Sequence, residues 1–126
     1  VLGLKRFPAT RVVALPSALD SLKPPTGSIA LRLAADELLI MPPAQVAVND
    51  PHAIILPDGS FAGAWASASE AKRILERECE WELPRARPAF AQGAVAGIPV
   101  KLWLEEDRVF VVVQAPFVVE FEERIS

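Results

Sequence analysis

Few side chains in this sequence have the type and spacing to carry chemistry. His52 lies in "NDPHAII", two residues after Asp50, and an imidazole is the usual general base near neutral pH. No activated serine and no second metal ligand accompanies it, and a site needs mutually positioned partners. His52 therefore reads as a surface or strand-edge histidine. Cys79, the single cysteine, falls near a helix C-terminus between Glu78 and Glu80, where the dipole and the carboxylates both oppose a thiolate. It reads as a packing residue. Gly93 and Gly97 invite a phosphate-loop reading, but no Lys-Ser/Thr pair follows them and no G-x-G-x-x-G occurs. The stretch around them reads instead as a close backbone crossing ahead of a strand. The glutamates at 76, 78, 80 and 82, and at 105, 106, 120, 122 and 123, lack EF-hand spacing and read as solvated faces.

Aromatic and arginine side chains remain, the types that protein interfaces enrich. Trp65 falls in an expected strand and Trp81 beyond an expected helix. Trp103 alternates with Leu102 and Leu104 and shares its strand face with Lys101 and Glu105, which turns it away from the main core. Arg85, Arg87, Phe90 and Gln92 precede or enter the glycine stretch and extend the patch. Trp65, Arg85, Arg87, Phe90, Gln92 and Trp103 are the expected partner contacts. No catalytic, cofactor-binding or metal-binding residue is expected.

The elements that must position them follow from periodicity. A short strand is expected over Arg11–Leu15, followed by "PSALDSLKPPTG" as a Pro-rich linker. "IALRL" and "ELLIM" form a first hairpin, with Ile29, Leu31 and Leu33 on one face, stopped by consecutive prolines. "HAIILPDGSFAGAW" predicts a second hairpin bending at Asp58-Gly59. Ser67 and Glu70 have capping-box spacing and open a helix over 68–80 whose apolar stripe is Ala71, Ile74, Leu75 and Cys79. "VKLWL" and "RVFVVVQ" form a third hairpin with an apolar, central second strand. A closing helix over 116–125 carries Phe117, Val118, Phe121 and Ile125. "IALRLAADELLIM" and "VKLWLEEDRVFVV" echo one another, either as two related halves or by hairpin convergence. The expected fold is α+β, with antiparallel hairpins in one or two small sheets packed against two main helices. It is taken as a single domain over 1–126, in which an N-terminal strand and linker (1–27) precede the core (28–126).

A chain of 126 residues with 52% hydrophobic content can bury one core. Its net charge of -3, without a Lys/Arg run, excludes an electrostatic footprint for nucleic acid or an acidic membrane. The N-terminal residues hold no signal-type apolar region and no membrane span, so a soluble, cytoplasmic protein is expected.

"ASEAKRILERECEWEL", "AFAQG" and "IPVKLWLEEDRVFVVVQAPFVVEFEERI" together resemble the C-terminal half of the gamma subunit of heterotetrameric sarcosine oxidase. Cys79, Glu82 and Leu83 match the end of that family's helix, and Phe117 matches the aromatic that opens its terminal helix. "IALRLAADELLIMPP" is similar to the family's first hairpin. These subunits are in turn similar to part of the folate-binding aminomethyltransferase of the glycine cleavage system. The resemblance implies a non-catalytic small subunit of a flavin- and folate-dependent amine oxidoreductase, meeting larger flavoprotein subunits. FAD, FMN, NAD and tetrahydrofolate would belong to that complex and none to this chain. The alternative is a free-standing domain that binds a folate-like molecule beside Trp65 or Trp103.

Overall fold

Period-two alternation carries most of this chain into strands, and the computed structural model, which describes residues 2–126, arranges them in two antiparallel sheets. The strands are β1 (Lys5–Arg6), β2 (Ala9–Val13), β3 (Ile29–Ala34), β4 (Glu37–Met41), β5 (Ile54–Asp58), β6 (Phe61–Ser67), β7 (Ala89–Val95), β8 (Ile98–Leu104) and β9 (Arg108–Gln114). The helices are α1 (Pro16–Ser21), α2 (Ala68–Glu78) and α3 (Val118–Ile125), the last entered through a 3-10 turn at Ala115–Phe117. The fold is α+β. No helix among the described residues is long and apolar enough to cross a membrane.

The chain divides into two compact units, one formed by residues up to Arg6 with Ser60–Ser126, the other by Phe7–Gly59. In the larger unit the strand order is β1-β6-β9-β8-β7, so β9 is central, as its apolar sequence on both faces requires. One face of this sheet presents Val100, Leu102, Leu104, Val109, Val111 and Val113, and α2 and α3 bury Ala71, Ile74, Phe121 and Ile125 in the same core. Ser67 caps α2, its Oγ accepting the Glu70 N–H at 3.2 Å. Helix α3 is tied down by Glu122 Oε1, which accepts the Leu4 N–H at 2.9 Å, and by Arg77, which donates to the Ile125 carbonyl. In the smaller unit the order is β3-β4-β2-β5, and α1 places Ala18 and Leu19 against Val12, Leu38 and Ile40.

The echo between the hairpins is one of topology. In the smaller unit β2, α1 and the β3–β4 hairpin follow in order, and β4 returns antiparallel beside β2. In the larger unit β6 and α2 are followed by an additional strand, β7, before the β8–β9 hairpin, and β9 returns antiparallel beside β6.

Three local expectations are corrected. The Asp58-Gly59 bend does not join a hairpin: β5 pairs with β2, while β6 pairs with β9 and β1. A two-strand reading saw the turn chemistry and not the competing partners. Asp58 Oδ2 accepts from Arg11 Nε and Nη2, both at 2.9 Å, which seats β5 on β2. The segment read as a linker holds α1, whose first residue Pro16 suits a helix start. The stretch read as a backbone crossing before Val100 is itself strand β7, paired along its length with β8. Its alanines and glycine have low strand propensity, and pairing overrides that preference.

Gly93 explains why β7 is built from small residues. A Cβ there would lie 2.7 Å from Trp81 Cε2 and 2.8 Å from Cζ2, and the Trp81 Nε1–H donates to the Ala94 carbonyl at 2.7 Å. The indole lies against the strand where a side chain would otherwise stand.

Candidate interaction face

Sheet register decides which of the expected contact residues meet. Trp65 on β6 pairs with Phe110 on β9, Phe110 with Trp103 on β8, and Trp103 with Phe90 on β7. Four aromatic residues thus form one row across four strands, on the sheet face opposite the helices. Trp65, Trp103 and Phe90 are half-buried and Phe110 is fully buried. The Trp65 and Phe110 rings lie 4.9 Å apart, tilted by 48°, a favourable offset geometry. The Arg108 guanidinium stacks over the Trp65 ring at 3.6 Å. Phe110 and Arg108 were not singled out in the sequence, because each looks like ordinary strand material until the register places it beside Trp65.

Glu105 fixes the end of the row. Its carboxylate accepts from Arg108 Nε and from Trp103 Nε1, each at 2.9 Å. The Arg108 hydrogen bond, with the Trp103 N–H helping against partial desolvation, holds the Glu105 carboxyl below the usual range. A depressed folded-state value contributes stability that is complete above the ordinary glutamate range and disappears as pH falls through the lowered value. The stability difference between the native chain and Glu105→Gln is therefore expected to shrink as pH falls through that window. Thermal unfolding at a series of acidic pH values checks this, and a difference that grows on acidification contradicts it.

The remaining expected contacts are less concentrated. Gln92 lies on edge strand β7 opposite Lys101, exposed, and two residues along the strand from Phe90 of the aromatic row. Arg85 is exposed in the segment joining α2 to β7. Arg87, in the same segment, donates to the Pro84 carbonyl at 2.6 Å and the Ala86 carbonyl at 2.8 Å, so it shapes its own loop. Arg87 also lines a groove of about 350 Å³ with Leu75, Trp81, Leu83, Leu104 and Val109. The Cys79 thiol lines it and donates to the Trp81 carbonyl at 3.4 Å.

Several of the groups with the type to do chemistry have partners. Asp50 accepts the backbone N–H groups of Leu15 and His52, both at 2.9 Å, and these bonds, Leu15's first, hold its carboxyl below the usual range. It closes a loop rather than orienting the exposed His52 ring. Glu76 pairs with Lys72, Glu78 with Arg77 and Glu120 with Arg124. Among the described residues no group of three or more His, Cys, Asp or Glu side chains could hold a metal ion.

With this geometry in place, comparison with known proteins adds one finding. A chain of the heterotetrameric sarcosine oxidase from Corynebacterium sp. U-96, solved in complex with pyrrole 2-carboxylate, matches with a TM-score of 0.69. The fold resembles a sarcosine oxidase subunit. The match covers 97% of this chain and 79% of that one, at 16% sequence identity. No family model matches the sequence, and no curated protein matches it.

Large apolar side chains are exposed elsewhere: Leu15, Ile54, Ile55 and Leu56 in the smaller unit and Val119 on α3. Sequence reasoning did not single out Ile54, Ile55 and Leu56, which lie on β5 at the edge of its sheet.

Proposed function

We propose that this chain is a small, gamma-like subunit of a heteromeric, sarcosine oxidase-like amine oxidoreductase. It acts by protein–protein contact and supplies no catalytic group. The observation that carries this reading is the fold likeness over 97% of the chain to a chain of a heterotetramer. Because the match also covers 79% of that chain, the matched polypeptide is not much longer than this one, which favours a small subunit over a large one. The hydrogen-bonded state of Asp50 and the ion pairs of Glu76, Glu78 and Glu120 support a non-catalytic role, since a catalytic site needs a base placed beside a nucleophile and an orienting group.

The flavin, nicotinamide and folate groups implied for such a complex are assigned to its larger chains. The start of α2 disfavours a phosphate: its first turn carries Glu70, and Ser67 already takes a backbone amide there. A folate-like ligand beside Trp65 or Trp103 is also disfavoured. Arg108 covers the first ring, and Glu105 takes the N–H of the second.

Assay of the isolated full chain tests the reading. With added flavin it is expected to leave sarcosine unoxidised, and millimolar tetrahydrofolate is expected to leave its tryptophan fluorescence unchanged. Turnover by the chain alone would overturn the subunit role, and saturable quenching would restore the folate-binding alternative.

A further inference from the structure

The smaller unit carries an apolar surface that neither its own core nor the aromatic row accounts for. Leu15 is 60% exposed, Ile54 52% and Leu56 53%. Ile54 pairs with Val13 and Leu56 with Arg11, so Ile54 and Leu56 share one face of edge strand β5. Leu15 and Ile54 line one shallow concavity, and Asp36 and His52 stand in the same lining. Edge strands in natural proteins are usually blunted by charge, and three consecutive exposed aliphatic residues on such an edge mark a contact surface. Pro57 lacks an N–H, which weakens the edge as a template for adding another strand. The contact is therefore made by side chains.

Charge selects the occupant. In residues 7–59 the acids Asp20, Asp36, Glu37, Asp50 and Asp58 outnumber the bases Arg11, Lys23 and Arg32. Arg11 is held by Glu37 and Asp58, and Arg32 by Asp20 and the carbonyls of Pro16, Ala34 and Ala35. Asp36 lines the concavity, and Asp50, kept ionised by its backbone bonds, stands behind Leu15 and His52. Two copies of this chain meeting here would oppose acid to acid. We infer that the Leu15–Ile54–Leu56 surface docks a polypeptide segment of a larger partner whose aliphatic side chains are flanked by lysine or arginine. This rests on the subunit reading and adds the location and chemistry of a contact.

The test uses the full chain labelled with nitrogen-15 and two capped pentapeptides, lysine–leucine–valine–leucine–lysine and its counterpart with glutamate at both ends. The basic peptide is expected to shift the amides of Leu15, Asp36, Ile54, Ile55 and Leu56 at millimolar concentration, and the acidic one to leave them unmoved. Ile54→Ser and, separately, Asp36→Asn are each expected to weaken the basic peptide by about tenfold or less, as loss of one apolar contact or one charge allows. Both positions are exposed, so both variants are expected to fold. Equal shifts with both peptides, no shifts at all, or concentration-dependent shifts of the same amides without peptide would each overturn the inference, the last by assigning the surface to a second copy. Because no partner protein enters this experiment, its failure leaves the subunit reading standing and removes only this surface.

Discussion

Phe121→Ala is expected to destabilise the chain by about 3–5 kcal/mol, the usual cost of emptying an aromatic site in a packed core. Phe121 is 1% exposed and stands on α3 within the core that also contains Ile74, Leu102 and Val111. Helix α3 has eight residues, too few to persist without its packed face. Its other attachments are Ile125, buried in the same core, the Leu4–Glu122 and Arg77–Ile125 hydrogen bonds, and the Arg124 contact with the Ala96 carbonyl at 2.7 Å. Since domains of this size have about 5–15 kcal/mol in total, a loss of that order leaves a marginal protein. Urea unfolding followed by circular dichroism checks this, and a change in midpoint worth less than about 1 kcal/mol would contradict the assignment of Phe121 to the core.

A second large effect is expected at Gly63. A Cβ built there would lie 2.6 Å from Phe110 Cζ and 3.1 Å from Cε2. Phe110 is 1% exposed and already stacked on Trp65, so it has little room to yield. Gly63→Ala is expected to cost about 1–3 kcal/mol by overpacking. It should also alter tryptophan emission, because Trp65 and Trp103 are the register partners of the displaced ring. Alanine at Gly59 meets nothing within 4 Å and has ordinary φ, so Gly59→Ala is the control and is expected to be close to neutral. Equal stability of the two variants would contradict the aromatic row as drawn.

Much of the fold was legible because hydrophobic periodicity reports directly on burial. The helix after Ser67, the β8–β9 hairpin and the closing helix each carry their apolar stripe in consecutive residues, so local reading sufficed. Strand β7 was not legible, because its small residues answer to Trp81, a side chain a dozen positions earlier. The fate of Asp58-Gly59 was hidden for a similar reason, since Arg11 is 47 residues from Asp58 and the ion pair appears only in the folded chain. At the candidate face, alternation alone turned Trp103 away from Leu102 and Leu104. The meeting of Trp65 with Phe110, which joins it to Trp103 and Phe90, required the β6–β9 pairing that no short window contains.

The subunit reading and the contact surfaces make different demands on the molecule. The first needs only a fold suited to assembly, and the ion pairs of Glu76, Glu78 and Glu120 are consistent with it. The second needs apolar groups left in water, and Leu15, Ile54 and Leu56 supply those.

The most direct measurement is purification of the full chain, tagged and expressed at its natural level in its native host, with the recovered material analysed for mass, flavin absorbance and oxidation of sarcosine. The chain is expected in stoichiometric association with a larger flavin-bearing polypeptide that oxidises an N-methylated amine. Recovery of this chain as a lone monomer, with no flavin and no larger companion, would contradict the account.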